Sequence, residues 1–388
     1  MKRIEVMDAL RGFALLGILL VNINFFNESL QAISLGGVPL EGRLNKTIGF
    51  VTALLVERKF MLLFSFLFGY GASILYRKST TQGIKFTPLY VKRMLTLLIF
   101  GLLHGLLIWY GDILTTYAIV GILLLFFLKR KSKTILIWSI VFLSFVPLLL
   151  GISAGLGSGT VEYSFFDFSE EIRLSQEMDM QIYGKGSFTE IATKRPMDFV
   201  MSFFNMILFF PQILGIFLLG TYFGKRKLLE KIQDKNRSYL ILGLIATVSG
   251  LILELPMLLS NSSNLMLEML GVFVAGPLLM LGYVTFFCLA FIKYKKYLSF
   301  FSYMGRLGFS MYILQSVLCS LIFYSYGLGL FGEMNLWQTT LIAIAVYLFQ
   351  LFLSYIWINY FKFQTGPLEY LWRLFYRGRG FIHKAKNL

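Results

Sequence analysis

The chain alternates long apolar runs with short charged breaks. The runs lie near residues 8–27, 52–76, 93–110, 112–129, 134–156, 200–223, 238–260, 265–292, 307–326 and 337–361. Each approaches the ~20 residues that a helix needs to cross a hydrocarbon core. The pattern predicts an all-α fold: a polytopic transmembrane helix bundle of about ten spans, forming one integral membrane domain over 1–388. The first run opens with Lys2, Arg3 and Arg11 and has no small-residue cleavage site. It reads as a retained helix rather than a signal peptide.

The charges between runs sort into two sets. One holds Lys2 and Arg3, then Arg77, Lys78, Lys85 and Lys92, then 129–133, 225–231, 293–296 and finally Arg377, Arg379, Lys384 and Lys386. The alternate set holds Glu28, Glu41, Asp112, the polar stretch 261–264 and Glu333, and also the segment 157–199, with eight acids against four bases. Basic loops all on one side predict ten spans with both termini cytoplasmic and 157–199 extracytoplasmic. Residues 362–388 then form a cytoplasmic interfacial helix and basic tail, in which Glu369 and Arg373 stand at a favourable i,i+4 spacing. Trp109 and Trp337 fall at the outer interface, Trp138 and Trp372 at the inner one.

Composition agrees. Of the residues, 57% are hydrophobic and 14% charged, against about 25% charged in soluble domains. The net charge of +16 fits loops facing anionic lipid headgroups. No basic folded domain exists to hold nucleic acid. Two cysteines, Cys288 and Cys319, and two histidines, His104 and His383, make neither a disulfide framework nor a metal site.

Polar groups at membrane depth are costly and need a partner or a purpose. Asp8 and Arg11 stand three apart and can pair. Asn22 follows Arg11 by eleven residues, on the same helix face roughly 16 Å away. Arg93 and His104 repeat that spacing. Asp112 comes eight residues after His104, beyond a short turn at Tyr110-Gly111-Asp112. An imidazole beside a carboxylate is the minimal unit of a general base with its orienting group. The alternative is an interhelical histidine, with Asp112 capping the next helix. Tyr312, Gln315 and Ser316 share one face of the ninth run, as bundle hydrogen bonds or ligand contacts. A further pattern repeats: FLFGYGASILYRK at 66–78 resembles FLLGTYFGKRK at 217–227.

Three stretches carry a family resemblance: MDALRGFALLGILLVNI at 7–23, VKRMLTLLIFGLLHGLLIWYGDILTTYAIVGILLLFF at 91–127, and GRLGFSMYILQSVLCSLIFYSYGLGLF at 305–331 with GPLEYLWR at 366–373. The chain resembles the YeiB-like bacterial membrane proteins over nearly its whole length. That family in turn looks related to transmembrane acyltransferases, including heparan-α-glucosaminide N-acetyltransferase. The resemblance implies a multi-pass protein of the bacterial cell membrane that takes an acyl group from cytosolic acyl-CoA and passes it to an acceptor across the membrane. The chain departs from that pattern in one respect. Asn22 stands where the wider O-acyltransferases have histidine, and Ile33 stands where the heparan enzyme has one.

On this reading His104 is the base or nucleophile and Asp112 orients it. Asp8, Arg11, Asn22, Arg93, Tyr312 and Gln315 bind substrate: Arg11 and Arg93 hold the phosphates of acyl-CoA, and Asn22 or Gln315 donates to the oxyanion. The expected partners are membrane lipids and an envelope or metabolite acceptor; a homodimer fits as well, and nucleic acid and metal do not. The competing reading is a proton-coupled transporter or exporter, which ten spans, a repeat and an intramembrane Asp/His pair also suit. A membrane scaffold without chemistry is a third.

Overall fold

The structure is a computed structural model that describes residues 5–156, 168–232, 236–259 and 270–377. Among these, every regular element is helical. Six helices are long and apolar enough to cross a membrane, and eight if each of two bent pairs counts as one span. Among the described residues the 200–223 run is bent, and the helix of the 112–129 run, Leu114–Leu128, is shorter than a full span. Lys2, Arg3, His383, the 261–264 stretch and the tail beyond Arg377 lie outside the described residues.

The first run becomes α1 (Glu5–Asn22) and a short α2 (Asn24–Asn27), followed by α3 (Leu30–Ser34) and α4 (Gly42–Leu55). Then come α5 (Lys59–Thr81), α6 (Phe86–Leu107), α7 (Leu114–Leu128) and α8 (Ser132–Leu156). The segment read from sequence as an outer loop carries α9 (Ser169–Asp179), a π-helical turn at Met180–Gly184, and the first turns of α10 (Phe188–Ile207). A Ser187–Glu190 capping box starts α10, satisfying backbone donors at both ends of the motif. It meets α11 (Phe210–Arg226) at a bend of 66°.

Beyond lie α12 (Asn236–Leu259), a π-helical turn at Gly271–Ala275, and α13 (Gly276–Lys293). Short helices α14 (Lys295–Leu298) and α15 (Phe300–Arg306) lead into α16 (Gly308–Phe323) through a bend of 76°. The chain closes with α17 (Leu336–Asn359) and the strongly amphipathic α18 (Pro367–Arg377). Pro367 takes the first helical position, where its missing N–H costs nothing.

Two close backbone contacts set the bundle. A side chain on Gly12 would collide with the Phe301 carbonyl, and one on Gly305 with the Asp8 carbonyl. The glycine of the Asp8-x-x-Arg11-Gly12 motif thus lets α1 meet α15 backbone to backbone, the small-residue packing that membrane helices favour. The two repeat-like segments form the second contact. Gly69 lies against the Phe217 carbonyl and Gly220 against the Phe66 carbonyl. Thr221 Oγ1 donates to Gly69 O (3.1 Å), and Arg77 beyond one helix meets Glu230 beyond the other (3.1 Å). Equivalent positions of α5 and α11 therefore face each other in a parallel, quasi-twofold pair.

Candidate functional site

A cavity of about 980 Å³ runs through the bundle. It touches Arg58 and Lys78, at opposite ends of α5. Twenty residues of helix separate these two, roughly 30 Å, which is about the thickness of a hydrocarbon core. Its middle is apolar, with Ile18, Val21, Phe64, Leu67 and Leu97 on the wall. One end is basic, bringing together Arg11, Lys78, Arg93, Arg306 and Arg373. The other end gathers Asn22, Trp109, Asp112, Tyr117 and Tyr312.

At the basic end Arg11 Nη1 pairs with Asp8 Oδ1 (2.9 Å) and donates to Gly305 O (3.1 Å). Asp8 is buried and does not line the cavity. Arg93 lies flat over the Trp372 ring at 4.3 Å, and Trp372 Nε1 donates to Arg93 O (3.2 Å). A cation over an indole face is held by the ring's quadrupole.

The broken helix beside them leaves the N-terminus of α16 inside the protein, where unsatisfied N–H groups are expensive. Glu369, from α18, supplies the cap. Its Oε1 accepts from Phe309 N (2.7 Å) and Ser310 N (3.1 Å), and Ser310 Oγ donates to Oε2. The GPLEYLWR motif thus closes a helix about 60 residues earlier, and its tryptophan shelves an arginine of the cavity wall. The i,i+4 spacing to Arg373 gave no sign of this.

At the far end His104 Nδ1 faces Asp112 Oδ1 at 2.9 Å, and both side chains are shielded from solvent. Asp112 Oδ2 accepts from Thr115 N (2.7 Å). The carboxylate therefore caps α7 and holds the imidazole at once, so the two readings of Asp112 are both realised. His104 Nε2 is buried and has no hydrogen-bond partner among the described residues. With Nδ1–H given to Asp112, the lone pair falls on Nε2. Buried polar atoms are nearly always paired, so this one is an acceptor with unspent capacity. His104 itself does not line the cavity; Asp112, Trp109 and Tyr312 do. The Tyr312 ring stands 5.2 Å from the imidazole and the Trp109 ring 6.3 Å. Gln315 is buried away from the cavity, with Nε2 donating to Leu15 O (3.3 Å). This is the bundle hydrogen bond rather than a wall position.

The sequence reading missed what holds His104. Phe199 of α10 fills the space at Gly105, where a Cβ would strike its ring. Arg195, 2% exposed, donates from Nη1 to Leu107 O (2.5 Å). A cation at the last carbonyls of a helix is favoured by its dipole. Lys194 bridges Asp179 (3.0 Å) and Asp198 (2.9 Å), and Tyr183 donates to Asp198 (2.6 Å). The supposed loop is a folded clamp on the turn that carries His104. Also missed was the buried pair of Lys59 and Glu254 (2.5 Å), whose partners are 195 residues apart.

Fold and cavity together define a multi-pass helical membrane protein with several ionisable residues, Arg11, Arg58, Arg93 and Asp112 among them, on the wall of an internal passage. Residues 223–379 match the family described as "Protein of unknown function (DUF418)". The chain is 33% identical to "Uncharacterized protein YxaH" of Bacillus subtilis (strain 168), over 96% of this chain and 94% of that one. It is 27% identical to "Uncharacterized protein YeiB" of Escherichia coli (strain K12), over 96% of each chain. The chain belongs to this YeiB-like family.

Proposed function

We propose that this chain is an acyltransferase of the bacterial cell membrane, moving an acyl group from cytosolic acyl-CoA to an acceptor at or beyond the outer face. One observation carries the reading: a single cavity joins a basic end to the turn that holds His104 and Asp112, across roughly 30 Å of helix. Phosphates of the donor would sit at the basic end near Arg11 and Arg93, where charge-assisted contacts are strongest. The excess of basic residues in the loops beyond that end supports assigning it to the cytoplasmic side.

The thioester would reach the other end. There His104 Nε2 accepts the proton of an acceptor hydroxyl or amine as its heteroatom bonds to the acyl carbon. Asp112 stabilises the imidazolium. The Asn22 amide, on the cavity wall, donates to the developing oxyanion. The C–S bond then breaks, and the leaving CoA thiolate takes from Nε2 the proton that came from the acceptor. Tyr312 and Trp109 stand between the imidazole and the cavity, so a small shift of these rings would admit the acceptor.

A proton-coupled transporter is the competing reading. It draws support from the two bent helix pairs, a feature of transporter binding sites. The deciding experiment purifies the protein from cells and analyses bound small molecules by mass spectrometry, with CoA binding measured by calorimetry. Bound CoA or a thioester supports transfer. No CoA binding, with proton-dependent flux in vesicles, overturns it.

A further inference from the structure

Two adjacent cations begin α5, and they are treated differently. Lys59 is 2% exposed and paired, with Nζ donating to Glu254 Oε1 (2.5 Å) and Ala53 O (2.6 Å). Arg58 is half-buried on the cavity wall, and its guanidinium makes no hydrogen bond or ion pair with any described residue. Its backbone adopts φ +62°, the left-handed region that few residues other than glycine occupy. Such conformations collect at functional positions.

Arg58 lies at the level of the acid–base pair. Tyr117 OH donates to Met61 O (3.0 Å) and meets Ser65 Oγ (2.6 Å), so the first turns of α5 and α7 run side by side. Arg58 stands just before α5 and Asp112 just before α7, so both lie at the same end of this helix pair. The cavity wall here also includes Ser34, Ser202 and Asn205, and Asn205 Nδ2 donates to Ser34 Oγ (3.3 Å). Ile33, Met206 and Phe209 flank these polar groups. A half-buried guanidinium with no described partner, on a cavity wall with these polar groups, is suited to an anion.

We infer that this end of the cavity is an anion subsite, in which Arg58 holds the phosphate or carboxylate of the acceptor. The apolar flank takes an attached chain. Calling the ligand an acceptor rests on the acyl-transfer reading; the subsite itself does not. A ligand held there presents a nearby hydroxyl or amine toward the Asp112 end.

The test uses the full chain in phosphatidylcholine nanodiscs, with a diazirine-bearing alkyl phosphate and the matching neutral alcohol as photoprobes. Adducts are mapped by peptide mass spectrometry. The alkyl phosphate should label Ile33 and the 202–209 segment, and the alcohol about tenfold less, the scale of one charge-assisted hydrogen bond. Arg58→Gly should lose the labelling about tenfold while keeping the fold, because glycine accepts this φ without strain. Arg58→Lys should retain part of it. Millimolar inorganic phosphate separates the sources: displacement assigns the site to a free anion, resistance to a lipid-borne one, and both keep the subsite. Equal labelling by phosphate and alcohol, or undiminished labelling in Arg58→Gly, overturns it. The readout needs no CoA, so it stands or falls apart from acyl transfer.

Discussion

Two acid–base pairs lie buried in this bundle, and they are built to opposite ends. Lys59 and Glu254 come from distant helices and meet at 2.5 Å, away from the cavity. The ammonium also holds a backbone carbonyl, so the cation is consumed by the fold. His104 and Asp112 come from one hairpin and meet at 2.9 Å. Their neighbours line the cavity, and the imidazole keeps Nε2 unspent. A buried pair beside a passage with an idle proton acceptor reads as chemistry. The Lys59–Glu254 pair also keeps one buried atom without a partner, Glu254 Oε2, but neither of its residues lines the cavity, as Asp112 does, and its cation holds two acceptors, so it reads as a fastener.

The contrast can be broken by substitution. Lys59→Ala should have the largest effect on stability, a loss of about 3–5 kcal/mol from leaving a buried carboxylate alone, seen as a drop in thermal midpoint in detergent. Lys59→Met with Glu254→Leu should recover most of it, since a packed apolar pair can replace an ionic one. Persistent instability of the double variant would mean that the charges do more than fasten.

His104→Gln should reverse the pattern, with a near-normal thermal midpoint and acyl transfer lowered about 10²-fold or more. Asp112→Asn should follow in direction with a smaller loss, and the two should be non-additive in a double-mutant cycle. Normal turnover in His104→Gln would remove the chemical reading of the pair.

Glu369→Gln weakens the α16 cap and should cost about 1 kcal/mol, read from the same melts. Arg93→Ala should weaken CoA binding several-fold, less so at high salt, because exposed phosphate contacts are screened. The smallest perturbation tests the map itself. Cysteine at Glu171 should react with an impermeant thiol reagent from outside, and cysteine at Lys131 should not; both native cysteines are buried. Reversed labelling would invert the assigned sides of the cavity.

The apolar runs were legible because spanning helices leave a length signal, and His104 with Asp112 was legible because eight residues and a turn close the pair locally. The distant partners were not. Nothing in the sequence joins Lys59 to Glu254, or Glu369 to the N-terminus of α16, since only the packed bundle brings them together. For Glu369 local spacing pointed to Arg373, while the structure gives its oxygens to Phe309 and Ser310. Segment 157–199 read as an outer loop because its charges, eight acids against four bases, interrupt any apolar run of spanning length. The folding of its 168–199 part depends on internal bridges, such as Lys194 to Asp179 and Asp198, and on the end of α6. The bend at 208–209 falls inside an apolar run just before Pro211, whose missing N–H leaves residue 207 without a helical donor, and the bend at 307 falls at the first residue of the ninth run; run length alone showed neither.

The contact between α5 and α11 has a mechanical consequence. Where carbonyls and glycine α-carbons meet with no side chain between them, rotating one helix would drive a neighbouring side chain into the other's backbone, and separating them would open a void that nothing nearby fills. The pair is therefore a stiff spine, and α5 is one wall of the cavity. Opposite it stand the bent start of α16 and α18, held by ring faces and a single carboxylate, contacts that slide and re-form at little cost. The passage is stiff on one side and compliant on the other. Any breathing that admits or releases a ligand belongs to the compliant side, and cross-linking α18 to α6 should slow ligand exchange where cross-linking α5 to α11 leaves it unchanged.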